Sequence, residues 1–254
     1  MSKIIAIANQ KGGVGKTTTA INLSAFLAEK GKKVLAVDLD PQGNLTSGLG
    51  VDKDAQENTA YEMLIGESTP EETITANVFE KLDIIRSNVN LSGAEIEMMN
   101  AEKREYILKD KLDAVRDRYD VILIDCPPAL NLLTINALTA ADLVLIPIQC
   151  EYYALEGLGE LLKTINLEKE RLNDKLDIAG VVFTMYDART NLSSQVVQNV
   201  KENLDIPVFE TKIPRNVRLA EAPSYGIPIN MYDSRSTGAV SYEQLADELI
   251  KKIF

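Results

Sequence analysis

The chain has no histidine and no tryptophan, and only two cysteines, Cys126 and Cys150, in 254 residues. Without an imidazole there is no histidine base, no Ser-His-Asp triad and no histidine-bound metal. Catalysis must rest on lysine, carboxylate and a metal ion. Two thiols so far apart form neither a disulfide framework nor a closed zinc site, and buried thiols are the simplest reading. No apolar run approaches the roughly eighteen residues of a membrane span. The chain goes straight into an apolar strand without a signal-peptide pattern, so a cytoplasmic location is expected. Positive charge is also short: 27 Lys and Arg face 38 Asp and Glu, for a net charge of −11. That excludes a surface basic all over, and any nucleic-acid contact needs a local basic patch.

The 45% of hydrophobic residues suffice for one large core, and a single α/β domain over residues 1–254 is expected. Its centre is residues 9–18, Asn-Gln-Lys-Gly-Gly-Val-Gly-Lys-Thr-Thr. An apolar run from Ile4 to Ala8 precedes them and helical spacing follows, so the context is strand, loop, helix. Gly12, Gly13 and Gly15 let the backbone, with Val14, come close to a ligand, so that successive N–H groups point at phosphate oxygens. The following helix adds the positive end of its dipole, from Lys16 through Thr17 and Thr18. Lys16 can reach the β- and γ-phosphates, and the Thr17 hydroxyl is placed to ligate Mg²⁺. Gln10 stands where the ordinary G-x-x-x-x-G-K-[ST] pattern has its first glycine. Lys11 lies on the wrong side of the turn to duplicate Lys16, and its expected target is a nucleotide bound by another subunit. The plain alternative is a glycine-rich strand-to-helix connection. As K-G-G-x-G-K-[ST], the loop resembles the deviant Walker A family, which includes ParA/Soj partition ATPases, MinD and the nitrogenase iron protein.

Further along, Gly31 is expected to end the first helix, and residues 33–38 read as a buried parallel strand delivering Asp38, Asp40 and Gln42 to the sheet's carboxyl edge. Carboxylates there can hold Mg²⁺ water or orient an attacking water; otherwise Asp38 caps and Asp40 starts a turn. Residues 45–80 are polar and weakly periodic, with a helix at 60–65 and turn signals at 66–70. A strand is expected at 82–86, a charged helix at 102–118, and a core strand at 119–125 ending in Asp125. An aspartate after Val121, Ile122, Leu123 and Ile124 is the Walker B arrangement, with capping as the alternative. Strands at 143–149, 178–185 and 208–213 and helices at 153–172, from Asn191 and at 242–254 complete the pattern. Arg189 and Arg218 have no obvious acidic partner at helical spacing. Solvated arginines are the alternative to any role.

Nearly the whole chain resembles chromosomal ParA/Soj proteins, through the loop, D-L-D-P-Q-G-N from Asp38, the I-D-C-P-P strand end, the stretch from Ile146 to Leu158, and P-R-N-V-R-L-A-E-A-P-S-Y-G from Pro214. The resemblance implies a P-loop NTPase-like fold, a mostly parallel sheet flanked by helices on both faces. It implies ATP and Mg²⁺ as cofactors, held by residues 11–18 with Thr17, Asp40 and Asp125 at the metal, partly through water. Lys11, Lys16 and Asp40 would serve hydrolysis, and Pro214 and Asn216 would enclose the adenine. Arg189 and Arg218 would belong to the surface on which dimers hold double-stranded DNA without sequence preference. Lys201, Lys212 and Arg215 are further candidates for that patch.

The implied function is an ATP-dependent homodimer switch for chromosome partitioning, relieved by a ParB-type protein and associated with the nucleoid. No DNA-reading segment precedes the loop, so the short, non-autoregulating type is expected. The alternative is a MinD-like membrane regulator, for which the last helix offers Leu245, Leu249, Ile250, Ile253 and Phe254 beside Lys251 and Lys252. Its apolar face is short and Glu243, Asp247 and Glu248 oppose anionic lipid, so a helix packed on the sheet, without stable membrane association, is expected. An iron-protein reading would need Cys126 and Cys150 at a cluster.

Overall fold

The computed structural model describes residues 2–55, 57–151 and 154–254. In chain order the first elements are β1 (Lys3–Ile7), α1 (Lys16–Glu29), β2 (Val34–Asp38), α2 (Asn44–Gly48), α3 (Ala60–Ile65) and α4 (Pro70–Thr73). Next come β3 (Ile74–Phe79), β4 (Leu82–Ile85), α5 (Leu91–Glu97), α6 (Ile107–Asp113), β5 (Val121–Asp125) and α7 (Leu132–Ala140). The last part holds β6 (Leu143–Gln149), α8 (Ala154–Arg171), β7 (Asp177–Tyr186) and α9 (Asn191–Asn203). It closes with β8 (Val208–Pro214), α10 (Val217–Glu221), α11 (Ile229–Tyr232) and α12 (Thr237–Ile253).

The strands form one sheet in the order β3-β4-β2-β5-β1-β6-β7-β8, parallel except for the antiparallel β3–β4 pair. The central strands are continuous aliphatic runs because helices cover both faces. Along β1, Ile4 and Ala6 face one core with Leu35, Ile122 and Ile124, closed by α3 and α5 to α9. Ile5 and Ile7 face the other, with Val34, Ala36 and Leu123, closed by α1 and α12. The order reverses at β1, which lies between β5 and β6, and this is where an open α/β sheet leaves a crevice at its carboxyl edge. The α/β fold expected from the sequence is the one observed.

Gly31, at φ 90°, follows the last helical turn of α1 and stops it, as expected. The expected helix over 102–118 is instead broken. Lys103 adopts φ 52°, and 3₁₀ turns at Arg104–Tyr106 and Arg116–Arg118 flank the short α6. The cause is the buried Asn136 of α7, whose side chain donates to the Arg104 carbonyl (2.9 Å) and accepts from the Leu108 amide (3.0 Å), so these backbone groups have no need of a continuous helix. Within the weakly periodic region, α2 and the edge strand β3 have no counterpart in the sequence reading. The start of α8 expected at Tyr153 lies outside the described residues. Ser236 caps α12, which begins five residues before Tyr242.

Both sheet edges are blunted. A register shift between Thr75 and Phe79 breaks the β3 side. On the β8 side, Glu248 of α12 accepts the amides of Glu210 (2.9 Å) and Thr211 (3.1 Å). Leu245 and Leu249 of α12 are fully buried against α1 and β8, and Phe254 lies under the Lys32 ammonium at 3.7 Å from the ring centroid. No helix among the described residues is long and apolar enough to cross a membrane.

Candidate nucleotide-binding site

The loop after β1 is built to present backbone amides. Gly13 and Gly15 take φ of 76° and 90°, conformations that favour glycine, and no atom lies within 4 Å of where a Cβ on Gly13 would sit. Gly12 does not take a left-handed backbone. From β7, the Thr184 hydroxyl donates to the Val14 carbonyl (2.7 Å) and pins the turn. The loop leads straight into α1, so its amides and the helix dipole point the same way.

Lys16 is buried and its ammonium donates to the Lys11 carbonyl (3.0 Å). Burial lowers its pKa, while Asp125, Cys126 and Asp40 oppose that shift. A desolvated ammonium bound only to a neutral carbonyl gains strongly from an arriving anion. Lys11 is held at three points: its amide by the Asn9 side chain (3.0 Å), its carbonyl by Lys16, and its ammonium by an ion pair with Glu151. Asn9 in turn donates to the Pro147 carbonyl at 2.8 Å, tying the loop to β6.

Parallel pairing brings the acidic residues to this loop, because Ile7, Asp125 and Asp38 are aligned across β1, β5 and β2. Asp125 is wholly buried, and neither carboxylate oxygen has a hydrogen-bond partner. Burial, then the charge of Asp38, push its pKa well above the carboxylate range; the Thr17 hydroxyl and Lys16 act the other way from nearby. Thr17 thus lies close to the carboxyl without bonding to it in good geometry. Such an orphaned buried pair of oxygens fits the water shell of a hard dication. No three His, Cys, Asp or Glu among the described residues form a ready cage, so substrate oxygens and water would complete the shell.

Asp38 accepts the Thr46 amide (2.8 Å) and hydroxyl (2.7 Å) and the Asp40 amide (3.1 Å). It braces α2 and the turn, so the capping alternative describes it. Asp40, half-buried on the rim, accepts the Gln42 amide (2.9 Å), and its carbonyl takes the Ser87 hydroxyl (2.8 Å). It opens a turn and also faces the Lys16 ammonium closely enough to shift it.

Beside the loop lies a cavity of about 560 Å³, a volume typical of small-molecule sites. Gly15 and Thr18 meet Ile213, Pro214, Asn216 and Leu219 in its walls. Asn216 also caps α10, accepting the Arg218 amide (2.8 Å) and donating to the Thr237 hydroxyl (2.8 Å). The distant I-P-R-N turn and the loop therefore line one space.

Both arginines have acidic neighbours, and that of Arg218 does stand at helical spacing, against expectation. Arg189 pairs with Asp187 (2.9 and 2.8 Å), because a tight turn whose Arg189 amide bonds the same carboxylate folds the side chain back. Arg218 pairs with Glu221 (2.9 Å), three residues on in α10, and with Asp233 (3.6 Å). Both arginines have acidic partners, yet the pairs are exposed and weak enough to exchange for phosphate. Lys201 pairs with Glu210 (2.9 Å) and Lys212 lies over the Tyr186 ring. Cys126 and Cys150 are buried free thiols, the latter pushed up to about 11 by burial, which suits core packing and not a surface cluster.

Glu151, Thr184 and Ser87 escaped sequence reasoning. Only Thr184 leaves a trace there, as a polar residue ending an aliphatic strand.

A family model described as an AAA domain matches residues 2–178. The sporulation initiation inhibitor protein Soj of Bacillus subtilis is 57% identical over 249 residues, covering 98% of both chains. The chromosome partitioning protein ParA of Myxococcus xanthus is 50% identical over 252 residues, 99% of this chain and 89% of that one. The chain belongs to the ParA/Soj family of chromosome-partitioning ATPases. Among solved structures, cobyrinic acid a,c-diamide synthase from Mycobacterium smegmatis, with bound ATP analogue and magnesium, is 38% identical with a TM-score of 0.89, covering 99% of this chain and 95% of that one. In this ParA/Soj chain the loop, Asp125 and the cavity share one sheet edge, with Lys11, Asp40 and the two arginines around its rim.

Proposed function

We propose that the chain is an ATP-driven DNA-partitioning switch that serves chromosome segregation. Mg-ATP joins two copies face to face, the pair holds double-stranded DNA without sequence preference, and slow hydrolysis, accelerated by a ParB-type partner, lets it go. The protein is then cytoplasmic and associated with the nucleoid while loaded. The observation that carries this reading is the meeting, at one sheet edge, of an anion-cradling loop, an orphaned buried carboxylate and an apolar cavity.

Amides of residues 12–18 and the Lys16 ammonium hold the phosphates, and Pro214 and Asn216 enclose the base. Thr17 and, through water, Asp125 and Asp40 would hold Mg²⁺, which supplies charge neutralisation at the β- and γ-phosphoryl oxygens. Asp40 helps place the attacking water. Lys11 leaves its own loop and contacts the facing copy's phosphates, so the pair persists only while the terminal phosphoryl is unspent. Placement and charge supply most of the rate acceleration in such a site. Arg189 and Arg218, doubled by the dimer, give salt-sensitive phosphate contacts.

The test is DNA retention with ATP, ADP or no nucleotide across a salt series, with molecular mass followed by light scattering. Retention should need ATP, track the dimer mass and fall steeply with salt. Retention indifferent to nucleotide would sink the reading.

A further inference from the structure

Glu151 follows β6, and its carbonyl accepts the amide of Ala154, the first residue of α8, at 3.1 Å. Its carboxylate meets the Lys11 ammonium of the same chain, and the two residues line one crevice with Asn9, Val14 and Gln149. The backbone of Lys11 is fixed on both sides, by Asn9 and by the Lys16 ammonium. Only the four-carbon side chain of Lys11 is left to move. Where that ammonium rests is decided by what competes for it.

We propose that Glu151 is a positioning residue that parks Lys11 in its own chain until a triphosphate on a facing copy displaces the carboxylate. This rests on the reading of Lys11 as the group that reaches across a dimer. The pair is suited to parking because its side chains are partly open to water, at 43% and 30% exposure, where an ion pair holds only weakly, although the contacting carboxylate oxygen is itself shielded. A polyphosphate with several charged oxygens outcompetes one such carboxylate. A nucleotide lacking the terminal phosphoryl offers less, and Lys11 stays home. Glu151 thereby sharpens the dependence of pairing on nucleotide state without touching nucleotide itself. Lys16 couples to the same device, since binding phosphate draws its ammonium off the Lys11 carbonyl and loosens the loop's own hold.

The decisive measurement uses the full chain without nucleotide. Trace acetylation of Lys11 by acetic anhydride is quantified by mass spectrometry against the exposed Lys251. In Glu151→Gln, Lys11 labelling should rise about two- to fivefold, the range set by an exposed ion pair. Glu151→Asp keeps the charge but shortens the reach, and should behave like Glu151→Gln. Labelling unchanged in Glu151→Gln, or restored to wild type in Glu151→Asp, would overturn the proposal, the second because charge without contact would then suffice. With ATP, Glu151→Gln should also lower the nucleotide concentration for half-maximal dimer mass by a similar factor; an unchanged midpoint overturns the regulatory part. If wild type forms no dimer with ATP, the switch reading fails, while the labelling result still decides whether Glu151 holds Lys11.

Discussion

Asp38 and Asp125 are paired residue to residue on the adjacent parallel strands β2 and β5, and both are wholly buried. Two carboxyl groups so placed disfavour each other's charge, which the nearby Lys16 ammonium opposes and a dication would oppose further. Burial lifts Asp38 to about 6, with the Thr46 hydroxyl and amide working against the shift. Asp125, without those bonds, is displaced further in the same direction.

The first prediction is a pH dependence. Asp38 titrates near 6 in the folded chain and at 3.8 when free, so between those values the native state holds more protons than the unfolded one. Its contribution is best at the acid end and is lost as pH rises through about 6, by about 3 kcal/mol. In urea unfolding without nucleotide, the stability of wild type relative to Asp38→Asn should therefore fall between pH 4 and pH 7. Parallel curves would mean that Asp38 does not titrate in this window.

Asp125→Asn should separate stability from turnover. Removing a buried, unbonded carboxylate should raise the melting temperature of the nucleotide-free protein at neutral pH, while phosphate release from Mg-ATP drops at least about tenfold, an activation barrier higher by roughly 1.4 kcal/mol or more. Thermal melts and a phosphate-release assay check the pair of effects. Lower stability in the variant would show that the carboxylate has partners among the surrounding groups.

Lys11→Ala should retain some ATP binding but lose the dimer and DNA affinity, because its ammonium pairs with Glu151 and not with its own phosphate cradle. Asp40→Ala should trap ATP on a DNA-bound dimer. Light scattering and nucleotide retention distinguish the two. An ATP-bound Lys11→Ala dimer would refute the first assignment, and wild-type turnover in Asp40→Ala the second.

Arg189→Ala and Arg218→Ala should each weaken DNA retention uniformly across sequences and reduce the slope of log affinity against log salt by about two, one phosphate per protomer. Stability should be little changed, since the ion pairs lost are exposed. A slope identical to wild type would remove that arginine from the DNA surface.

Thr184→Val deletes the hydroxyl that holds the Val14 carbonyl. The expected cost is about 1 kcal/mol in unfolding, with a higher KM for ATP because the loop is less well fixed. An unchanged KM would show that the glycines alone set the loop.

The central architecture was legible because parallel strands covered on both faces must be aliphatic throughout, and because a loop that cradles anions needs glycine at particular places. Asp125 and the turn at Pro214 were readable for the same reason, standing where buried strands end. The broken helix near Arg104 was not, since its cause is Asn136, a side chain arriving from another element. Edge strand β3 was hidden by its polar composition and irregular pairing. Glu151 carries no local mark at all, and its meaning comes only from the return of β6 beside β1. The last helix could have been an interfacial one by pattern; its burial against α1 means that a lipid-binding test needs the intact chain, because deleting residues 243–254 would open the core.

Glu248, taking two amides of the outermost strand, and the irregular pairing on the opposite border have a consequence for assembly. Backbone-mediated stacking into filaments is discouraged at both flanks of the molecule. Pairing of two copies through the rim that carries the loop, as proposed above, would then meet no competing backbone edge.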